Sequence, residues 1–404
     1  MKAVRRIFLS LVALAVALFI LFFLTNVGSR MRGPLQELLN GVGSGVRALE
    51  SWAYHLVRGP GREAQLRWFD PYRTHLDWLR KPDVLLLGAY DDELPASLEG
   101  IRRLEEALGT RFPLIHFYTA WGDRADQQFP RAVVEAIWDY GSVPVITWEP
   151  WLTAFQPDLH PELPPLAVRD RRGMAQVAAG VYDFYLRQWA REAARFGRPL
   201  FVRLAHEMND PYRYPWGPQN NTPESFVAAW QHVVQLFREQ GATNVLWVWS
   251  PHPAYGNFSA YYPGDAFVDW VGGGALNYGT VAYWSRWWSF QEIFGQHYPE
   301  YAAFGKPIMI TEFNSLAVGG NRAEWFARAL NHLPKRFPQV RALLFFHSGY
   351  DPTVTYKPLD WSIPGDSLTV QAIRQAIRPW DPAQKIILIG SGAGASDGQD
   401  GKRP

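Results

Sequence analysis

Leu200 to Gly217 reads LFVRLAHEMNDPYRYPWG, an apolar run entered from Gly197 and Pro199 that breaks into Asn, Asp, Pro and Gly. Such a stretch predicts a buried strand emptying into a loop. Alternation along it places Val202 and Leu204 on one face and Arg203, Ala205 and Glu207 on the other. A guanidinium or a carboxylate buried alone is costly, so the two form either a structural ion pair or a polar cleft holding a catalytic glutamate. His206-Glu207 could open the HExxH motif of a zinc protease, but that motif needs a second histidine where this chain has Asp210. A second carboxylate follows a similar run, PIMITEFNS from Pro307 to Ser315, in which alternation puts Ile308, Ile310 and Glu312 on one face.

Two glutamates leaving two strands suit glycoside hydrolysis, in which one carboxyl group protonates the leaving oxygen and the other attacks the anomeric carbon. The order of the remaining elements supplies the scaffold. Short apolar runs at Val84–Gly88, Leu114–Tyr118, Val143–Thr147, Leu200–Ala205, Val245–Ser250, Val268–Gly272, Ile308–Thr311 and Leu343–Phe346 alternate with helical patterns. The helical patterns lie near Leu94–Leu108, Arg131–Tyr140, Gln176–Phe196, Ser225–Gln240, Trp287–Tyr301, Glu324–His332 and Leu368–Ile377, whereas Pro251–Gly264 shows little helix. Eight βα repeats without a glycine fingerprint at the first helix predict an α/β fold, a (β/α)8 TIM barrel, over a dinucleotide-binding sheet. In such a barrel the strand exits carry the chemistry.

At this point the motifs become specific. RLAHEMN with a downstream YPWG, followed by ITEFNS on the seventh strand, resembles glycoside hydrolase family 26 of clan A, best known as β-mannanases. The resemblance spans Val84 to Trp361 and implies that Glu207 is the acid/base and Glu312 the nucleophile of a retaining mechanism. His206 stands where most of the clan carries Asn, a substitution typical of the family. Tyr278, in GGGALNYG, resembles the family's tyrosine that hydrogen-bonds the nucleophile. An inward Arg203 would keep such a nucleophile ionised. One departure is clear: the family usually has Gly after the Asn, and this chain has Asp210-Pro211.

Trp148 and Glu149 in ITWEPW, and Trp216 after the acid/base, are the expected sugar contacts, by stacking and by hydrogen bonding to hydroxyls. Trp121 and Trp361 are further candidates that suit packing equally. His116, His252 and His347 also fall near strand ends, but none has a second ligand at a defined spacing, so no metal site and no cofactor is expected. The implied function is an endo-acting hydrolase of a β-linked polysaccharide, β-1,4-mannan first. Mixed-linkage β-glucan, β-1,3-xylan and a non-hydrolytic glycan-binding role in envelope assembly remain open.

Composition narrows the class further. Charged residues make up 19% of the 404-residue chain, with 40 basic against 38 acidic, so there is no electrostatic footprint for nucleic acid. Nineteen Trp and eighteen Tyr suit both a core and a groove that stacks on sugars. The absence of cysteine excludes disulfides, a thiol nucleophile and a lipidated N-terminal cysteine.

Ile7 to Leu24 (IFLSLVALAVALFILFFL) follows Lys2, Arg5 and Arg6 and measures about 27 Å as a helix, close to a bilayer core. The expected organisation is a cytoplasmic N-terminus and anchor over residues 1–29, an approach segment serving as stalk and collar over 30–80, the barrel over 81–382 and a flexible Gly-rich tail over 383–404. Val27-Gly28-Ser29 offers the alternative of a cleaved signal. Fractionation separates the two: full-length protein in the membrane, digestible by protease from outside, is the expected result, and a soluble form starting near Arg30 would show cleavage.

Overall fold

The computed structural model describes residues 60–382 apart from 283, 356 and 381. The apolar run Ile7–Leu24, the approach segment before residue 60 and the Gly-rich tail lie outside them. Among the described residues, no helix is long and apolar enough to cross a membrane.

Eight parallel strands close into a barrel in sequence order: β1 Leu86–Asp91, β2 Leu114–Ala120, β3 Val143–Glu149, β4 Leu200–Leu204, β5 Val245–Trp249, β6 Trp270–Asn277, β7 Ile308–Ser315 and β8 Val340–His347. β1 pairs with β8, so the sheet has no free edge. Crossovers are helical at Glu99–Leu108, Arg131–Asp139, Asp183–Phe196, Pro223–Glu239, Arg322–Arg336 and Ser367–Ile377.

Two expected helices are broken. The pattern from Gln176 is interrupted at Gly180, whose φ of +80° no helix accommodates, leaving Gly173–Ala178 and Asp183–Phe196. The pattern Trp287–Tyr301 becomes a π turn at Gln291–Gly295 and a short helix at Tyr298–Ala302. Pro299 has no N–H for a continuous helix and sits at the start of the second piece.

The core has two layers divided by the pleat of the strands. Ile146, Trp148, Val202 and Ile310 face the surrounding helices, while Val143, Val145, Phe201, Leu246, Val248 and Met309 fill the lumen. The lumen cluster also contains Leu66, Phe69, Tyr72 and Leu79. Residues 60–80 therefore belong to the barrel and close its N-terminal end, which moves the expected stalk boundary at residue 81. Their sequence carries no strand pattern, so it is this packing that shows what they close. Trp270 fixes the closure by donating its indole N–H to Leu79 O at 2.9 Å.

This base carries a buried ion pair. Arg62 reaches Glu105 on the Glu99–Leu108 helix through Nη2 at 2.8 Å and Nε at 3.0 Å, and Glu105 also accepts from Phe112 N and Tyr140 Oη. Removing one partner strands the other charge away from water. Glu105→Ala is expected to lower unfolding stability by about 3–5 kcal/mol in urea titration.

Candidate active site

Alternation on β2 and β3 fills the upper lumen with polar groups. His116 Nε2 lies 2.7 Å from Thr147 Oγ1, and Arg203, the ladder partner of Thr147 on β4, has its side chain fully buried beside them. Burial, together with the Arg203 charge, holds His116 neutral with a pKa lowered to about 3.

Glu312 enters the lumen by a bulge. β7 pairs Ile310 with Gly273 of β6 but Glu312 with Gly274, so Thr311 is an extra residue. Ile308, Ile310 and Phe313 all pack in the outer helix-facing layer. The expectation that Ile308 and Ile310 share a face with Glu312 is thereby overturned, since the inserted residue reverses the alternation. Glu312 Oε1 accepts two hydrogen bonds, from Arg203 Nη1 at 2.6 Å and Tyr118 Oη at 2.7 Å. Burial alone would raise its pKa, but the Arg203 charge and the two donors outweigh that cost and bring it down to about 2. The carboxylate is ionised at any working pH.

Glu207 arrives by a different device. β4 ends at Leu204, and Ala205 and Glu207 take left-handed backbone angles (φ +42° and +54°), so the chain kinks instead of continuing its alternation. Ala205 accordingly packs in the outer layer, not beside Arg203. The kink is pinned by Glu207 N donating to Ser250 O at 2.7 Å. A Cβ placed on Gly274, the ladder partner of Glu312, would stand 3.9 Å from Glu207 Oε1, so the two carboxylates flank one glycine. Glu207 Oε2 is buried without a hydrogen-bond partner, and the nearest cation is Arg213 Nη1 at 3.8 Å.

Around Glu207 the loop residues form a supporting layer. His206 Nε2 meets Tyr214 Oη at 2.9 Å and lies 4.0 Å from Glu149 Oε1. Burial and the Arg203 and Arg213 charges hold His206 well below its ordinary pKa, hence neutral. Glu149 receives Trp151 Nε1 at 3.0 Å, and burial pushes its carboxyl upward. Asn209 ties this loop to the next, its Oδ1 accepting from His252 N at 2.7 Å and its Nδ2 donating to His252 O at 3.0 Å.

Residues 182–296 match the model of glycosyl hydrolase family 26. The chain is 31% identical over 302 residues to "Endoglucanase H" of Acetivibrio thermocellus, covering 72% of this chain and 30% of that relative. Over residues 182–296 the chain is similar to glycosyl hydrolase family 26. A shorter match, 35% over 101 residues, covers 24% of this chain and 21% of "Beta-1,3-xylanase TXYA" of a Vibrio species. The chain thus spans less than a third of either relative's length. The fold is similar to that of a family 26 β-mannanase from Bacteroides ovatus, with a TM-score of 0.53 and 15% identity over 80% of this chain and 94% of that one.

Against this geometry the predicted residues divide sharply. Glu207, Glu312, Arg203, His206 and Glu149 converge on the barrel mouth. The four tryptophans expected to contact sugar have almost no exposed surface. Trp148 faces outward and stacks on Trp189 at 4.4 Å, with Trp121 at 4.8 Å, because residues 146 and 148 share the helix-facing side of β3. Trp216 lies parallel to Tyr214 at 4.6 Å and donates to His206 O at 2.7 Å, so it braces the loop that carries Glu207. Trp361 donates to Asp351 Oδ2 at 2.9 Å and supports Tyr278 from below at 5.1 Å. Tyr278 edges the cleft, but the phenol that reaches Glu312 belongs to Tyr118.

Tyr118 was missed although β2 alternation, Leu114 to His116 to Tyr118, points it inward. Arg213 and Tyr214 were missed because they sit in a loop with no period. Rings half exposed or more stand instead at Tyr212, Trp284 and Tyr350, each in a loop that follows a strand exit. Tyr118→Phe removes one donor from the ionised carboxylate, and a hydrogen bond to a charged group contributes about 1.5–3 kcal/mol. The Glu312 pKa should therefore rise by about one to two units, read by carbon-13 NMR titration of the Glu312 carboxyl.

Proposed function

We propose that the protein is a retaining, endo-acting hydrolase of a β-linked polysaccharide. The observation that carries this reading is the asymmetry of the two glutamates: Glu312 is held ionised by Arg203 and Tyr118, while Glu207 faces it across Gly274 with one oxygen that makes no hydrogen bond. Glu207 delivers its proton to the glycosidic oxygen as Glu312 attacks the anomeric carbon, the C–O bond to the leaving sugar breaks, and a glycosyl ester forms on Glu312. Arg203 and Tyr118 both bind Oε1, so Oε2 makes that bond. Glu207, now a carboxylate, then takes a proton from water whose oxygen attacks the same carbon and frees Glu312.

β-1,4-Mannan is the first substrate, because the HEMN and TEFN motifs resemble those of a family best known as β-mannanases. A β-glucan is the second reading, because the 302-residue match is to a protein named an endoglucanase. A glycan-binding protein without turnover is the alternative class. The exported, membrane-anchored placement through Ile7–Leu24 is part of the proposal and keeps the site at the cell surface.

On a polysaccharide panel, Glu312→Ala should release no reducing ends. Glu207→Ala should be slowed far more on polysaccharide than on aryl glycosides, whose activated leaving groups need little protonation. Equal losses on both substrates would remove Glu207 from the acid role. The carboxyl groups should stand about 5–5.5 Å apart, so proton NMR should show the first-formed sugar with retained configuration. An inverted product would refute the double displacement.

A further inference from the structure

Glu207 has two neighbours that the proposed hydrolysis does not use. Asp210 lies three residues on, and His252 stands in the loop after β5. The side chains of Glu207, Asp210 and His252 each offer a ligand atom, and those atoms all lie within 4.8 Å of one another, the one such group among the described residues. Sequence spacing hides the set, because its histidine comes from the next βα unit.

The scaffold holds the three together firmly. Glu207 N is bonded to Ser250 O at 2.7 Å, and Asp210 N to Glu207 O at 2.9 Å, so one tight turn presents both carboxylates. Asn209, between them, clamps the backbone of His252 from both sides. Asp210 commits Oδ1 to Tyr212 N at 2.7 Å and has its second oxygen to spare. Glu207 Oε2 is a buried acceptor with no hydrogen bond, an arrangement that leaves its lone pairs unsatisfied.

We propose that Glu207, Asp210 and His252 form a site for a divalent transition-metal ion, Zn²⁺ foremost, that blocks the acid/base. Two carboxylates and one imidazole form a mixed oxygen and nitrogen set of the kind Zn²⁺ accepts, with a fourth position open to water. Arg213 Nη1, 3.8 Å from Glu207 Oε2, opposes any cation there and so disfavours weakly coordinating Mg²⁺ and Ca²⁺. His252 Nδ1 accepts from Ala254 N at 3.1 Å in an exposed turn. An ion on Glu207 occupies the lone pairs that must carry the proton in both half-reactions. Turnover then depends on free metal, and chelation restores it. The inhibitory part of the inference rests on the reading of Glu207 as acid/base; the binding part does not.

The test titrates chelator-treated full-length protein with ZnCl₂ by calorimetry, with MgCl₂ as control, alongside hydrolysis assays with and without EDTA. One Zn²⁺ per chain and EDTA-reversible loss of turnover are expected. His252→Ala and Asp210→Gly should each weaken binding by at least the roughly 10- to 100-fold that losing an outer-shell partner costs in known metal sites. Arg213→Gln should tighten it. Thermal melts of each variant confirm folding, and His252→Gln replaces His252→Ala if the latter does not fold. Glu312→Ala, inactive by the proposed mechanism, should bind Zn²⁺ as the wild type does, which separates the two claims. Absence of stoichiometric binding, or binding unchanged in the Asp210 and His252 variants, overturns the site. Binding with the expected variant pattern in a protein that hydrolyses nothing would leave the site standing and refute the hydrolase.

Discussion

The contact between Arg203 Nη1 and Glu312 Oε1 is the constraint to which the upper half of the barrel answers. Neither charge would be tolerated alone at that depth, and together they convert an otherwise apolar lumen into a polar one. The pair explains its neighbours: His116 is kept neutral beside a guanidinium, Tyr118 supplies the second donor that the carboxylate needs, and Arg203 also acts on Glu207. It also separates the two glutamates chemically. One has its charge fixed by hydrogen-bonded partners, and the other has an oxygen that makes no hydrogen bond and meets only the more distant Arg213.

The strand order, the eightfold repeat and the pair Glu207 and Glu312 could be read from the chain because apolar periodicity and strand exits are local properties. The attitude of each side chain at the exits was not legible by the same rule. Alternation holds on β2 and β3, where it places Tyr118 and Glu149 inward and Trp148 outward. It fails on β4 and β7, where the two glutamates reach the lumen by a left-handed kink and an inserted residue. Both carboxylates were found despite this failure, because the HEMN and TEFN motifs mark them independently of the pleat.

The tryptophans show the opposite error. Motif position drew Trp148, Trp216, Trp121 and Trp361 toward the sugar, yet large rings beside a strand exit are also what the gap between barrel and helices requires. Trp216 and Trp361 still matter to the site, as braces beneath His206 and Tyr278. The residues 60–80 were misassigned for a related reason: a plug of short helices has no long period, and its purpose appears only in the company of Leu86, Phe201 and Met309.

The bulge on β7 makes the site sensitive to length more than to composition. The same residues on an uninterrupted pleat would turn Glu312 into the helix layer and Phe313 into the lumen. Removing the single residue Thr311 would set Glu312 directly after Ile310, on the lumen face, with Phe313 outward again. What the seventh strand must satisfy is therefore a count: between Ile310 and the carboxylate there is room for no residue, or for one that bulges out of the ladder.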